Sequence, residues 1–417
     1  MKKIKKIICA LLIATMVPVF GGCSSSSTSS TSSKASASSS SASSESSDTI
    51  TITDQADNEV TLPKDIKRIA VCDILPLPSV LTVFFNSGDK IVGMSEASMA
   101  AAKNGLLGEL YPEVLKADTG FIKDGEVNTE ELLKLKPDVV FYSASDTAIG
   151  DKLKEAGFNA VAISVNKWEY NTIETLNNWI DLLSQIFPED AKTDVVKKHS
   201  DDVYKMVQDR VKDIPDDERA NVFFLFKYDE TSIATSGNSF FGSWWAKAIG
   251  AKNVADDIKK DNAVPVNMEQ IYKYNPDIIF VTNFTQAQPE DLYNNTIGSN
   301  DWSKVKAVED KKVYKMPLGM YRSYTPGADT PMTLLWLAKT TYPDKFKDID
   351  LTKEVKDYYK EVFGVDLTDK QVESIFETSS TIDLTLISSK MNTIKHLIER
   401  FTYTVRLSDS NIDNQIP

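Results

Sequence analysis

The chain has 417 residues, of which 41% are hydrophobic and 26% charged, with a formal net charge of −13. That length and apolar content allow more than one globular core, while the acidic balance lacks the basic footprint that nucleic-acid binding needs. Three cysteines and two histidines leave no cluster with metal-ligand spacing, and neither G-x-S-x-G nor H-E-x-x-H occurs, so no enzyme activity, bound metal or cofactor is expected.

Residues 1–22 read as a basic stretch, MKKIKK, an apolar run, IICALLIATMVPVF, and two glycines. This is a secretory signal peptide rather than part of the fold. Cys23 follows directly and resembles the lipobox cysteine of bacterial lipoproteins, although Phe20 stands where leucine is usual. The resemblance implies a lipidated mature N-terminus. Residues 23–48 are Ser-rich after that cysteine and form a flexible tether. The expected address is extracytoplasmic, anchored to the cell membrane by lipid, in an arrangement commoner in Gram-positive cells. Residues 1–22 hold four lysines and no acid, so the mature charge is −17. With Cys23 lipidated, Cys72 has no disulfide partner and reads as a buried residue at a strand end.

The globular part begins near Thr49. TITDQADNEVTLP reads as a hairpin with its turn at Ala56 to Asn58. Strands are expected from Arg68, from Lys90, at Val139 to Tyr142 and at Ala160 to Val165, with helices at Pro78 to Asn86 and Ala148 to Ala156 between them. Together they make a doubly wound α/β lobe over residues 49–170. Residues 171–215 carry apolar positions at helical spacing, such as Leu176, Trp179, Ile180 and Leu183, and form connecting helices broken at Pro188. A second α/β lobe over residues 216–376 opens at Val222, continues with Ser232 to Thr235, a helix at Ser239 to Ile249 and a strand at Val313 to Met316. It closes with helices at Thr330 to Thr341 and Thr352 to Phe363. Residues 377–417 are Ser/Thr-rich at their start and have no assigned place in either lobe.

One segment occurs twice. Asn128 to Phe141, NTEELLKLKPDVVF, recurs without a gap as Asn267 to Phe280, NMEQIYKYNPDIIF. In each copy asparagine is an N-cap, and Glu131 or Gln270 three residues later completes a capping box. A short helix follows, Pro137 or Pro276 ends it, and a buried strand comes next. Glu130 and Glu269 occupy the second helical position, free of the capping role and able to point outward. A repeat this widely spaced implies two similar lobes and a cleft between them.

With RIAV, KIVGM, both repeat copies, SIATSGNSFFGSWWAKAIGAKNVA and WSKVKAVEDKKVYKMP in this order, residues 49 to 376 resemble the helical-backbone substrate-binding proteins of ABC importers. That group takes up ferric siderophores, haem, cobalamin and some metal oxyanions. The resemblance implies two doubly wound α/β lobes joined by a long rigid helix, with the ligand cleft between the lobes. It further implies that Glu130 and Glu269 dock onto arginines of an ABC permease, which works with its own ATPase.

Ligands of open α/β sheets bind outside the carboxyl ends of the strands. Those ends supply Met94, Tyr142, Ser143 and Trp168 in the first lobe. In the second they supply Lys227, Tyr228, Ser236, Phe240, Asn283, Tyr321, Arg322 and Tyr324. Aromatic walls with a few polar groups suit a bulky metal chelate, and Arg322 is the expected contact for an anionic group. Trp244 and Trp245 read as helix packing. The expected cargo is an iron complex; molybdate, haem and cobalamin are the alternatives, as is a sensor or adhesin without transport.

Overall fold

The computed structural model describes residues 48–376 except residue 124. The signal peptide, Cys23, nearly all of the tether and the 377–417 tail lie outside the described residues.

The first lobe opens with a hairpin, β1 (Thr49–Thr53) and β2 (Glu59–Pro63). Its turn is held by the Asp54 carboxylate, which accepts the backbone N–H groups of Ala56 and Asn58 at 3.0 and 2.9 Å. The strands that follow are β3 (Ile69–Val71), β4 (Ile91–Gly93), the short pair β5 (Ile122–Lys123) and β6 (Glu126–Val127), β7 (Val139–Ser143) and β8 (Ala160–Ile163). Interspersed are α1 (Leu77–Phe85), α2 (Glu96–Asn104), α3 (Leu106–Leu110), α4 (Thr129–Lys134) and α5 (Thr147–Glu155). The main sheet is parallel in the order β4-β3-β7-β8.

The connecting segment is a helical pair, α6 (Thr172–Ile186) and α7 (Thr193–Val211), broken where Pro188 starts a 3₁₀ turn. It is therefore not one continuous rod: the two helices pack on each other and on the later helix spanning Thr330–Thr341.

The second lobe contains β9 (Asn221–Leu225), β10 (Lys227–Tyr228), β11 (Ile233–Ser236), β12 (Lys252–Asn253), β13 (Ala263–Val266), β14 (Ile278–Val281) and β15 (Val313–Lys315). Its helices are α8 (Phe241–Ala248), α9 (Met268–Tyr274), α10 (Pro289–Asn294), α11 (Lys306–Glu309), α12 (Thr330–Thr341), α13 (Leu351–Tyr358) and α14 (Asp369–Phe376). Tyr359–Phe363 continues α13 as a π-helical turn. The parallel sheet runs β12-β9-β14-β15, the same second-first-third-fourth order as in the first lobe. An antiparallel sheet, β10-β11-β13, is an addition of this lobe among the described residues.

The duplicated segment does the same work twice. Asp138 accepts the N–H groups of Lys67 and Arg68, both at 2.8 Å, and returns its own N–H to the Arg68 carbonyl. Asp277 accepts the Asn221 N–H at 2.9 Å and returns its N–H to the Asn221 carbonyl. Each aspartate thus ties the start of the lobe's central strand to the start of its first strand. Lys136 and Asn275, at matching places before the prolines, both sit in the left-handed region, at φ 48° and 40°. The capping box forms only in the second copy. In the first, the Asn128 N–H is taken by the Phe121 carbonyl, and Glu131 pairs with Lys134 instead.

Strict alternation along the strands divides the core. Val139, Phe141, Ile278 and Phe280 face one continuous core that also holds Trp179, Leu183, Val207, Leu335 and Trp336 from the connecting and closing helices. Val140 with Tyr142, and Ile279 with Val281, face separate outer cores of the two lobes. Cys72, at the end of β3, is buried in the first lobe's outer core, where burial pushes its thiol far up.

Removing either aspartate leaves strand-start amides without their acceptor. Asp138→Ala or Asp277→Ala is expected to lower the unfolding free energy by about 1–2 kcal/mol in urea titration; unchanged midpoints would show that these ties do not stabilise the lobes.

Candidate functional site

The carboxyl ends of the two parallel sheets meet along a seam. At one end, α2 and α3 approach the loops that follow β14 and β15. The Leu106 N–H donates to the Gly319 carbonyl at 3.0 Å. A Cβ on Gly105 would lie 2.7 Å from that same carbonyl oxygen, so the approach depends on glycine.

Beside this contact lies a cavity of about 430 Å³, with Asn104 and Glu109 on the first-lobe side and Asn283, Gln286, Lys315 and Arg322 on the other. Ser374 of α14 reaches its rim, and Gln371 of the same helix donates to Glu109 at 2.9 Å. The Arg322 guanidinium lies 4.8 Å over the Phe284 ring and 5.8 Å from that of Tyr321. From Phe284 a row of rings runs along the seam: Phe284 to Phe226 at 5.0 Å, Phe226 to Phe240 at 6.1 Å, and Phe240 to Tyr170 of the first lobe at 5.2 Å.

That row leads to a second cavity of about 550 Å³, lined by Trp168 and Tyr170 from one lobe and by Phe240, Trp244, Lys247 and Asp261 from the other. Glu169 and Tyr170 both adopt positive φ, 51° and 59°. Two successive non-glycine residues there store backbone strain, which the surrounding contacts must hold.

Two ionisable groups, the half-buried Lys315 and the buried Asp329, shape the first cavity. Lys315 has no carboxylate partner among the described residues. Its ammonium donates to the carbonyls of Thr282, Thr285 and Ala287 at 3.0, 2.8 and 2.8 Å and so fastens the loop that carries Asn283 and Gln286. Burial pulls it down to about 8, with the Asp291 carboxylate opposing. Asp329 stands at the N-cap position of α12, yet it makes no side-chain cap to that helix. Its carboxylate accepts instead from the N–H groups of Met320 and Tyr321 at 2.9 and 3.3 Å, and from the Tyr359 hydroxyl in the π turn. It thereby pins the loop that carries Arg322. Burial lifts Asp329 to about 6 against the pull of these donors.

Of the residues expected at the site, Asn283 and Arg322 line the first cavity, Trp168 and Phe240 the second. Tyr321 packs beside Arg322; burial raises its phenol to about 12, with the guanidinium opposing. The others lie elsewhere. Met94 and Tyr324 are fully buried, and the Tyr324 hydroxyl accepts the Gly242 N–H. Tyr142 fills the first lobe's outer core. Ser143 is spent on the Asp73 carboxylate through its N–H and on the Ser145 N–H through its hydroxyl. Tyr228 belongs to the second lobe's outer core, bonded to Ile297 and Trp302. Lys227 is exposed and paired with Asp229 at 3.1 Å. Ser236 is buried and accepts the Gly242 N–H at 3.0 Å. Trp245 packs inside as expected, but Trp244 lines the second cavity. Sequence reading missed Lys315, Asn104, Gln286 and Tyr170. Lys315 ends a β-strand, which is the available signal; Asn104 and Tyr170 carry none.

Residues 88–318 match the periplasmic binding protein family. The chain belongs to that family. It is 29% identical to the molybdate-binding protein MolA of Haemophilus influenzae over 75% of this chain and 90% of that one. It is 26% identical to the Fe(3+)-citrate-binding protein YfmC of Bacillus subtilis, over 75% of this chain and 89% of that one. The crystal structure of a periplasmic solute binding protein from Veillonella parvula superposes with a TM-score of 0.69 at 30% identity, covering 79% of this chain and 97% of that chain. The family makes this chain an ABC-transporter substrate-binding protein of two α/β lobes.

Replacing Lys315 by Met leaves three buried carbonyls without a donor, with an expected stability loss of about 2–3 kcal/mol. Because the folded protein releases the Lys315 proton near 8, below the ordinary lysine value, wild-type stability gains from this group as pH rises from about 8 toward 10. Urea titrations of both proteins at pH 7 and 10 measure the difference; an identical pH response would refute the linkage.

Proposed function

We propose that this protein captures an anionic iron(III) chelate of the carboxylate type in the seam and delivers it to an ABC permease, held near the membrane by a lipid on Cys23. The observation that carries the reading is Arg322. Its half-buried guanidinium sits over an aromatic ring at the wall of a cavity whose other lining groups include the side-chain amides of Asn104, Asn283 and Gln286, with Glu109, bonded to Gln371, at the first-lobe side. These donors suit the outer oxygens of an anionic complex rather than a bare cation, which needs several lone pairs converging on it. A cavity of about 430 Å³ falls in the size range of small-molecule sites and leaves room for more than a tetrahedral oxyanion. The similarity to YfmC supports this choice; the similarity to MolA makes molybdate the second reading, since the same donors would hold it.

Intrinsic fluorescence titration with ferric citrate, a ferric hydroxamate, haem, cobalamin and molybdate separates these. Ferric citrate is expected to bind, and Arg322→Ala to weaken it at least tenfold, about 1.4 kcal/mol or more. Binding of molybdate with no response to any iron complex would overturn the iron reading.

Docking is assigned to Glu130 and Glu269, which are exposed at equivalent places in the two lobes and make no ion pair among the described residues. Charge-assisted pairing with arginines is directional enough to set the register of both lobes on a permease. The double variant Glu130→Ala/Glu269→Ala is expected to abolish uptake while retaining ligand affinity. Unimpaired uptake would instead favour a receptor that acts without a transporter.

A further inference from the structure

We propose that Leu133 and Tyr272 are paired apolar anchors of the docking face, and that the partner presents a basic side chain next to an apolar socket on each of two related halves. This rests on the permease-docking reading of Glu130 and Glu269. Among the described residues, the exposed large hydrophobic side chains are Leu133 at 52%, Tyr272 at 37% and Tyr204 at 36%. Tyr204 is accounted for by stacking on Trp244 at 6.5 Å. The other two occupy the same position of the duplicated segment, one in each lobe.

Each follows its glutamate by three residues, and positions three apart lie on one helix face. Glu130 with Leu133, and Glu269 with Tyr272, therefore form two like patches of one carboxylate and one apolar group. The neighbouring Leu132 and Ile271 are fully buried and secure the helices. Packing of the lobes does not require the exposed residues to be apolar. Recurrence of that exposure at matching sites of the two lobes, beside the shared exposed Glu130/Glu269 and Lys134/Lys273, points to a common demand from outside the chain.

The charge of the patches selects the occupant. Both glutamates are unpaired among the described residues, while the adjacent Glu131 is neutralised by Lys134 at 2.6 Å. A second copy of this chain would bring carboxylate against carboxylate in a protein of net charge −13, which disfavours self-association. A basic partner is complementary, and an apolar contact beside each ion pair excludes water from it, the arrangement typical of interface hot spots. The patches are not identical. The Tyr272 hydroxyl donates to the Asp301 carbonyl at 2.6 Å, which fixes its ring, whereas Leu133 has no such tether.

The test compares Leu133→Gln/Tyr272→Gln with Glu130→Ala/Glu269→Ala, using the full-length lipoprotein and its cognate permease–ATPase complex in nanodiscs. Complex affinity and stimulation of ATP hydrolysis are read, with ferric citrate affinity, melting temperature and oligomeric state of the free protein as controls. The glutamine variant is expected to weaken the complex at least tenfold with the controls unchanged. If it matches wild type while the alanine variant fails, the anchors are refuted and the docking reading stands. If neither variant affects the complex, both fail. A free-protein dimer that the glutamine variant dissolves would also overturn the proposal, since the patches would then serve a second copy.

Discussion

The tie between a carboxylate and the opening amide of a neighbouring strand is the constraint on which both lobes depend. In each, an aspartate after a proline closes a two-way link to the first strand of the sheet, through Asp138 to Arg68 and through Asp277 to Asn221. That link sets the register of the central strand pair. Register in turn decides which side chains face the common core and which face the lobe's own outer core, since a slip of one residue would exchange Phe141 with Val140 or Phe280 with Ile279. The shared core brings the connecting and closing helices against both sheets, so the position of one lobe relative to the other follows from the same pairing.

From that frame the seam inherits its shape. Strand ends with short loops cannot hold a pocket open unaided, because loop backbone needs partners for its polar groups. Lys315 supplies three donors to one loop, and Asp329 supplies acceptors to the next. Half-buried Lys315 is answered by backbone carbonyls, and buried Asp329 by backbone N–H groups and a hydroxyl, rather than by an opposite ion. Such groups cost desolvation, which is why one is pulled down and the other lifted. What they secure is the placement of Asn283 and Arg322 in a common wall. The π turn that delivers Tyr359 to Asp329 fits this role, as such turns often mark places where function outweighs helical regularity.

Much of the frame was legible in the sequence. The duplicated segment announced two lobes, β-branched runs announced Val139–Ser143 and Ile278–Val281, and Pro188 announced the break between α6 and α7. The chain-order pattern did not reveal α2, α3, α14 or the strands β10, β12 and β13, because these are short and hold few periodic apolar residues. The site was read less well. Taking residues from strand ends found Arg322, Asn283, Trp168 and Phe240, but it also collected Tyr142, Tyr228 and Tyr324, which complete cores. An aromatic residue at a strand end can point either way, and only the register of the strand settles which. Lys315 and Asp329 were missed for a related reason: their work is done on backbone atoms, which leave no pattern in the side-chain alphabet.

Gly105 and Gly319 face one another across the seam with bare backbone, and a methyl on Gly319 would run into the Asp329 carboxylate. At this contact the two halves therefore meet through main chain. A side chain at Gly105 would act as a shim, propping the jaws by its own thickness and enlarging the bite, whereas one at Gly319 would dislodge the carboxylate that holds its own loop.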